Sequence, residues 1–158
     1  MLDIASWKIL VAGNCIFRRG VASIVRDVVP SASIVEAVGF ADARARLNRD
    51  RFFAAIFHLD ADGLDGPASF RTLRGDSPDL ILGVMSRTAN AGDILGYMAA
   101  GVTGVILETS GHVEVQRAVR DILHGEIYIP PDVVSSTACE PPIVRSAPRR
   151  DYRRLTPR

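Results

Sequence analysis

The chain has 158 residues, 47% apolar and 23% charged, with a net charge of +1. That is enough for one domain with a real core, and no apolar run approaches the ~18 residues needed to span a bilayer. Charge alone points to no partner, but its distribution is uneven: residues 135–158 carry Arg145, Arg149, Arg150, Arg153, Arg154 and Arg158 against Glu140 and Asp151, leaving a mildly acidic body ahead of a basic tail.

In chain order, Trp7–Ala12 is a short apolar run, read as a first strand and broken by Gly13-Asn14. Ile16, Phe17, Val21, Ile24, Val25 and Val28 then follow helical spacing, with Arg18, Arg19, Arg26 and Asp27 on the other side. Asn14 fits an N-cap, and Pro30 ends the helix. Ser33–Val38 reads as a second strand. Asp42–Asn48 reads as a short helix with Ala41, Ala45 and Leu47 facing inward. Phe53–Leu59 is a third strand, apolar on both sides and therefore central. Pro67 can open a third helix, with Phe70 and Leu73 buried and Asp65 as its cap. Leu80–Met85 is a fourth strand, closed by Ser86. Asp93–Ala100 is a helix carrying Ile94, Leu95, Tyr97 and Met98, ended by Gly101. Gly104–Leu107 is a fifth strand. Val113–His124 is a last helix, with Val115, Ala118, Val119, Ile122 and Leu123 inward and Gly125 as its stop. Five strands alternating with five helices predict a parallel sheet with helices on both faces.

After Pro130-Pro131 the character changes. Ser135–Arg154 holds Pro141, Pro142 and Pro148, many arginines and few large apolar residues, the composition of a linker. Met1–Lys8 lacks a charged start followed by an apolar stretch, so no signal peptide is read. Cys15 and Cys139 have neither metal-ligand spacing nor the density of a disulfide framework. A reduced, cytoplasmic setting is expected. All but Lys8 of the 19 basic residues are arginine, a compositional pointer to a GC-rich bacterium.

The five-unit order, the glycines and the strand ends together resemble a response-regulator receiver domain, most of all in the LuxR/NarL class of two-component transcription regulators. Ile9-Leu-Val-Ala-Gly-Asn-Cys-Ile-Phe-Arg-Arg-Gly20 is similar to the family's first strand and the opening of its first helix. His58-Leu-Asp-Ala-Asp-Gly-Leu-Asp-Gly66 is similar to the phosphorylation loop and its Gly-Leu/Met-Asp-Gly ending. Ala99-Ala-Gly-Val-Thr-Gly-Val-Ile-Leu107 resembles the run into strand five, and Gly125-Glu-Ile-Tyr-Ile-Pro-Pro131 the end of the receiver. Leu155-Thr-Pro-Arg158 looks like the opening of a LuxR-type helix-turn-helix domain. The resemblance implies a flavodoxin-like (βα)5 receiver over residues 1–134, a Pro/Arg-rich linker over 135–154, and the truncated start of a DNA-binding domain over 155–158.

A working receiver places two acids after strand one and an aspartate after strand three around Mg²⁺, a cation that wants hard oxygen ligands. A lysine after strand five and a Ser/Thr after strand four steady the phosphoryl oxygens, because phosphoryl transfer depends on positioning and electrostatics. Here the acid pair corresponds to Ala12 and Gly13, the phosphoacceptor to His58, the lysine to Glu108 and the aromatic switch residue to Val105. Only Ser86 keeps its type. A carboxylate where a lysine belongs would repel a phosphoryl group; two like charges ~4 Å apart cost about 4 kcal/mol at an effective dielectric of about 20. His58 is expected to be a structural replacement paired to Glu108 or Ser86. Asp60, Asp62 and Asp65 lack the EF-hand spacing and read as turn chemistry. Neither a metal nor a cofactor is expected.

The expectation is a non-enzymatic, degenerate receiver of a LuxR-type regulator, working without phosphorylation, with a homodimer, DNA through a further domain, and a protein partner as its associations and no membrane. The second reading is a small-molecule sensor using the space left by Ala12 and Gly13. No nucleophile–base constellation supports an enzyme.

Overall fold

The computed structural model describes residues 7–88 and 90–137. The elements are β1 (Lys8–Ala12), α1 (Cys15–Val28), β2 (Ser33–Ala37), α2 (Phe40–Arg49), β3 (Ala54–His58), α3 (Gly66–Asp76), β4 (Ile81–Ser86), α4 (Ala91–Ala99), β5 (Gly104–Leu107), α5 (His112–Leu123) and α6 (Pro131–Thr137). The strands form one parallel sheet in the order β2-β1-β3-β4-β5. The order reverses between β1 and β3, so a crevice opens at the carboxyl ends of the strands there.

β3 is central and every one of its residues is buried, as its unbroken apolar run requires. Successive side chains leave opposite faces of a strand. Ala55 and Phe57 join Leu10, Ala12, Phe70, Leu82, Val84, Ile94 and Val105 under α2, α3 and α4. Ala54 and Ile56 join Ile9, Val11, Val21, Val25, Met85, Ile106 and the inward residues of α5 under α1 and α5.

Asn14 caps α1 as its position predicts, its side chain accepting the Phe17 N–H at 2.9 Å. The phase of α2 differs from the expectation. Ala41 and Ala45 are exposed, while Ala43 and Leu47 are buried with Phe40 half-buried beside them. The helix starts at Phe40 because Gly39 lets the backbone close on Asp62, where a Cβ would stand 2.7 Å from the Asp62 carbonyl oxygen. The inward set is then Phe40, Ala43 and Leu47, at i, i+3 and i+7. Asp65 holds the N-cap position of α3 without a side-chain cap bond. Pro67 stands in the first turn and has no N–H to offer; the Asp65 N–H instead donates to Ser69 Oγ at 2.7 Å. Ile16, on the apolar stripe by helical spacing, is exposed.

The expected inward residues of α5 are all buried. Beyond it the chain turns at Gly125, whose φ of 78° suits glycine. Tyr128 then pairs with the free edge of β5, accepting from Val105 N–H at 3.1 Å and donating to Thr103 O at 3.3 Å. This covers a sheet edge. The Tyr128 hydroxyl donates to Glu114 Oε1, and burial, with that carboxylate, pushes the phenol up to about 12. α6 runs across the boundary expected at residue 134, with Val133 buried in the α2/α3/α4 face. Residues 138–158, which include Cys139, most of the expected linker and the expected domain start at 155–158, lie outside the described residues.

Candidate functional site

The site lies at the carboxyl ends of β1, β3, β4 and β5. His58 is the last residue of β3 and only 2% exposed. Its parity puts the ring on the α1/α5 side, edge-on to Phe17 with centroids 4.9 Å apart. Its Nδ1 accepts the Asp60 N–H at 3.1 Å, so the neutral ring carries its proton on Nε2 and donates it to Glu108 Oε1. The expected His58–Glu108 pairing is present, as a charge-assisted hydrogen bond from a neutral imidazole. Ser86 does not take part; its hydroxyl donates to Thr88 O at 2.6 Å. The Glu108 N–H bonds to Ser86 O at 2.9 Å, which extends the β4–β5 ladder and holds the carboxylate over β3.

Gly13 is where the packing is tightest. A Cβ there would stand 2.6 Å from Phe17 Cδ1 and 2.9 Å from His58 Cβ. Phe17 and His58 therefore occupy the space an acidic side chain at residue 13 would need. Ala12 is fully buried on the opposite face, and so is Val105, which packs with Phe57, Phe70 and Ile94. Of the six residues singled out from the sequence, His58, Glu108 and Gly13 meet in one place, Ser86 borders it, and Ala12 and Val105 are in the other core.

A receiver's Mg²⁺ needs hard oxygen ligands. Ala12 and Gly13 supply no side-chain atoms for it, and His58 presents a nitrogen already bonded. The donor set does not fit the ion. Among the described residues no three of His, Cys, Asp and Glu converge on a point that could hold a metal. The acidic turn is used for shape: Asp62 O accepts the Phe40 N–H at 2.8 Å, and Gly63 and Gly66 take left-handed φ values of 77° and 53°.

The space expected at Ala12 and Gly13 is not there, since Phe17 and His58 fill it at Gly13 and Ala12 is packed in the other core; the open space lies beside the cluster instead. A cleft of about 460 Å³ lies between α1 and the strand ends, lined by Asn14, Cys15, Ile16, Phe17, Gly20, Val21, Ile24, His58, Met85, Arg87, Glu108 and Val115. Helical spacing places Ile16 with the inward residues of α1, but it stands at the rim of the cleft, 82% exposed. Arg87 also borders it, with Nε 3.7 Å from Glu108 Oε2.

The five parallel strands in this order, with helices on both faces, form a flavodoxin-like fold, the fold shared by the response-regulator receivers to which the chain is similar. A LuxR-family two-component response regulator from Aurantimonas sp. superposes with a TM-score of 0.75 at 20% identity, over 84% of this chain and 96% of that one. The isolated receiver of RcsB from Salmonella enterica serovar Typhimurium does so with a TM-score of 0.73 at 16% identity, over 82% and 97%. In sequence, the chain is 24% identical over 130 residues to the glycerol metabolism activator of Pseudomonas putida, covering 81% of this chain and 59% of the activator. The chain spans about three fifths of the length of the curated relatives it matches. No protein-family model matches it. Among the described residues no helix is long and apolar enough to cross a membrane.

Proposed function

We propose that the chain is the regulatory, non-enzymatic receiver of a LuxR-type transcription regulator whose output is set without acyl-phosphate formation at the end of β3. One observation carries the reading: His58 and Glu108 are bonded to each other where a receiver needs its aspartate and its lysine. The pair satisfies the His58 Nε2–H and one oxygen of Glu108. A phosphoryl group entering here would meet a carboxylate, find no side-chain oxygen at residues 12 and 13 to hold a neutralising metal, and break the His58–Glu108 hydrogen bond. Electrostatic neutralisation is most of what a phosphotransfer site supplies, so its reversal removes the reaction. Retention of the loop shape around Asp62, Gly63 and Gly66 supports a domain kept for its surface and its coupling to neighbours.

On this reading the domain pairs with a second copy and delivers DNA binding through a further domain. The support is likeness alone: RcsB is described as dimers bound to DNA, and the sequence relatives are a glycerol metabolism activator and a transcriptional activator. The test of the central claim is incubation of the full chain with acetyl phosphate and Mg²⁺, followed by intact mass under acidic conditions. An unchanged mass is expected. A stoichiometric phosphoryl adduct on the chain would overturn the proposal.

A further inference from the structure

We propose that the cleft between α1 and the carboxyl ends of β3, β4 and β5 binds a small organic amine, an apolar body carrying one ammonium head. The proposal rests on the preceding reading in one respect: Glu108 is open to another ligand only if no acyl phosphate forms beside it.

The cleft's volume of about 460 Å³ is that of a small-molecule site. Its walls are Phe17, Val21, Ile24, Met85 and Val115, side chains that take an apolar body. The space is not filled by α1 because Gly20 stands in that wall. A Cβ at Gly20 would meet no heavy atom within 4 Å. Glycine in a helix interior weakens the helix, so helix formation does not explain its presence.

Glu108 gives the cleft its polarity. Its Oε1 takes the His58 proton, while Oε2 receives no hydrogen bond among the described residues. Among the described residues the cation near Oε2 is Arg87, at 3.7 Å and with a side chain 75% exposed, a loose surface pair. Asp60, whose carboxylate stands 3.9 Å from His58 Nδ1, adds a second negative charge on the far side of the ring. A carboxylate with an open oxygen beside apolar walls selects a donor, and a cationic donor most of all. An anionic ligand of the same size would meet Glu108 first.

The probe is phenethylamine, with 3-phenylpropionate as the anion of similar size, each titrated into the full chain and followed by backbone amide NMR shifts. For the amine, saturable shifts centred on Gly20, Val21, Met85 and Glu108 are expected, with a dissociation constant on the order of 1 mM. The anion should bind about tenfold more weakly, the loss of a charge-assisted hydrogen bond. Gly20→Leu fills the cleft and should abolish the shifts while keeping or raising the thermal midpoint. Ile24→Trp closes the same space from another position if Gly20→Leu does not fold. Glu108→Gln should erase the preference for the amine. Absence of saturable shifts, equal binding of the two probes, or binding that survives the filled cleft would each overturn the proposal. An amine that fails on a chain that also resists acetyl phosphate sinks this inference and leaves the preceding one standing; a phosphoryl adduct sinks the preceding one whatever the amine does.

Discussion

Phe57 and His58 are neighbours in β3, and they face opposite sides of the sheet. Phe57 is fully buried in a run of rings: Phe40 at 6.3 Å, Phe70 at 5.6 Å and near-perpendicular, and then Tyr97 against Phe70 at 5.7 Å. The edge-to-face pairs Phe57–Phe70 and Phe70–Tyr97 fill this core with ring surface. His58 has one ring neighbour, Phe17, one carboxylate, and a cleft beside it. One face of the sheet is closed by packing. The other is closed by a hydrogen bond at its end and left open next to it. The lesson is that the scaffold and the candidate site are separable, because they use alternate residues of the same strands.

The largest effect that could break this contrast is Phe57→Ala. It should cost about 3–5 kcal/mol, the range for an aromatic truncated in a closed core. Urea unfolding monitored by circular dichroism measures it. A loss no larger than that of any substitution at His58 would mean that the two faces do not differ in kind.

Next is Gly13→Ala, which adds one methyl at the tightest contact of the site. Overpacking there should cost roughly 1–3 kcal/mol. Because the added carbon meets Phe17 Cδ1 first, Phe17→Ala should recover part of the loss, and the double-mutant cycle should be non-additive. Additive losses would show that Phe17 is not what excludes a side chain at residue 13.

Glu108→Ala should have a smaller effect. It leaves the His58 Nε2–H without its acceptor, a loss of about 1 kcal/mol, at the low end for an unsatisfied donor because Glu108 is 31% exposed and water can reach the site. Replacing both partners, as His58→Phe with Glu108→Ala, should cost less than the two single changes added together. Equal sums would mean that the bond contributes nothing to stability.

Most of the fold was legible in the sequence because its signals are local. The strand runs, the Asn14 cap, Pro67, the inward set of α5 and the glycine stops each follow from backbone rules acting over a few residues. The phase of α2 was not legible, since it depends on Gly39 meeting a carbonyl from the loop after β3, a contact between segments distant in sequence. The candidate site was legible as a set of departures from a pattern, and the His58–Glu108 pair could be read from strand order. Which of the six residues meet could not, because Ala12 and Val105 fall on the other side of the sheet by strand parity. The cleft was hidden for a different reason: Gly20 contributes to it by having no side chain, and an absence of atoms leaves no mark on hydrophobic periodicity.

The smallest expected effect lies on the closed face, at the surface bridge between α2 and α3. Arg44 Nε is 2.7 Å from Asp76 Oδ2. The hydrogen bond from Arg44 holds the Asp76 carboxyl below the usual carboxylate range, and Asp76 in turn raises the Arg44 guanidinium. A carboxyl depressed in the folded state adds stability above its unfolded value of about 3.9, and that increment disappears as pH falls through the folded value. Arg44→Gln removes the cause. The variant should therefore unfold at slightly lower urea than the parent at neutral pH, and the two curves should converge as pH falls below the folded value of Asp76. Both groups are solvent-accessible and screened, so the gap should shrink further in high salt. A gap that persists at low pH would mean that Arg44 stabilises the closed face through the packing of its aliphatic stem rather than through its charge.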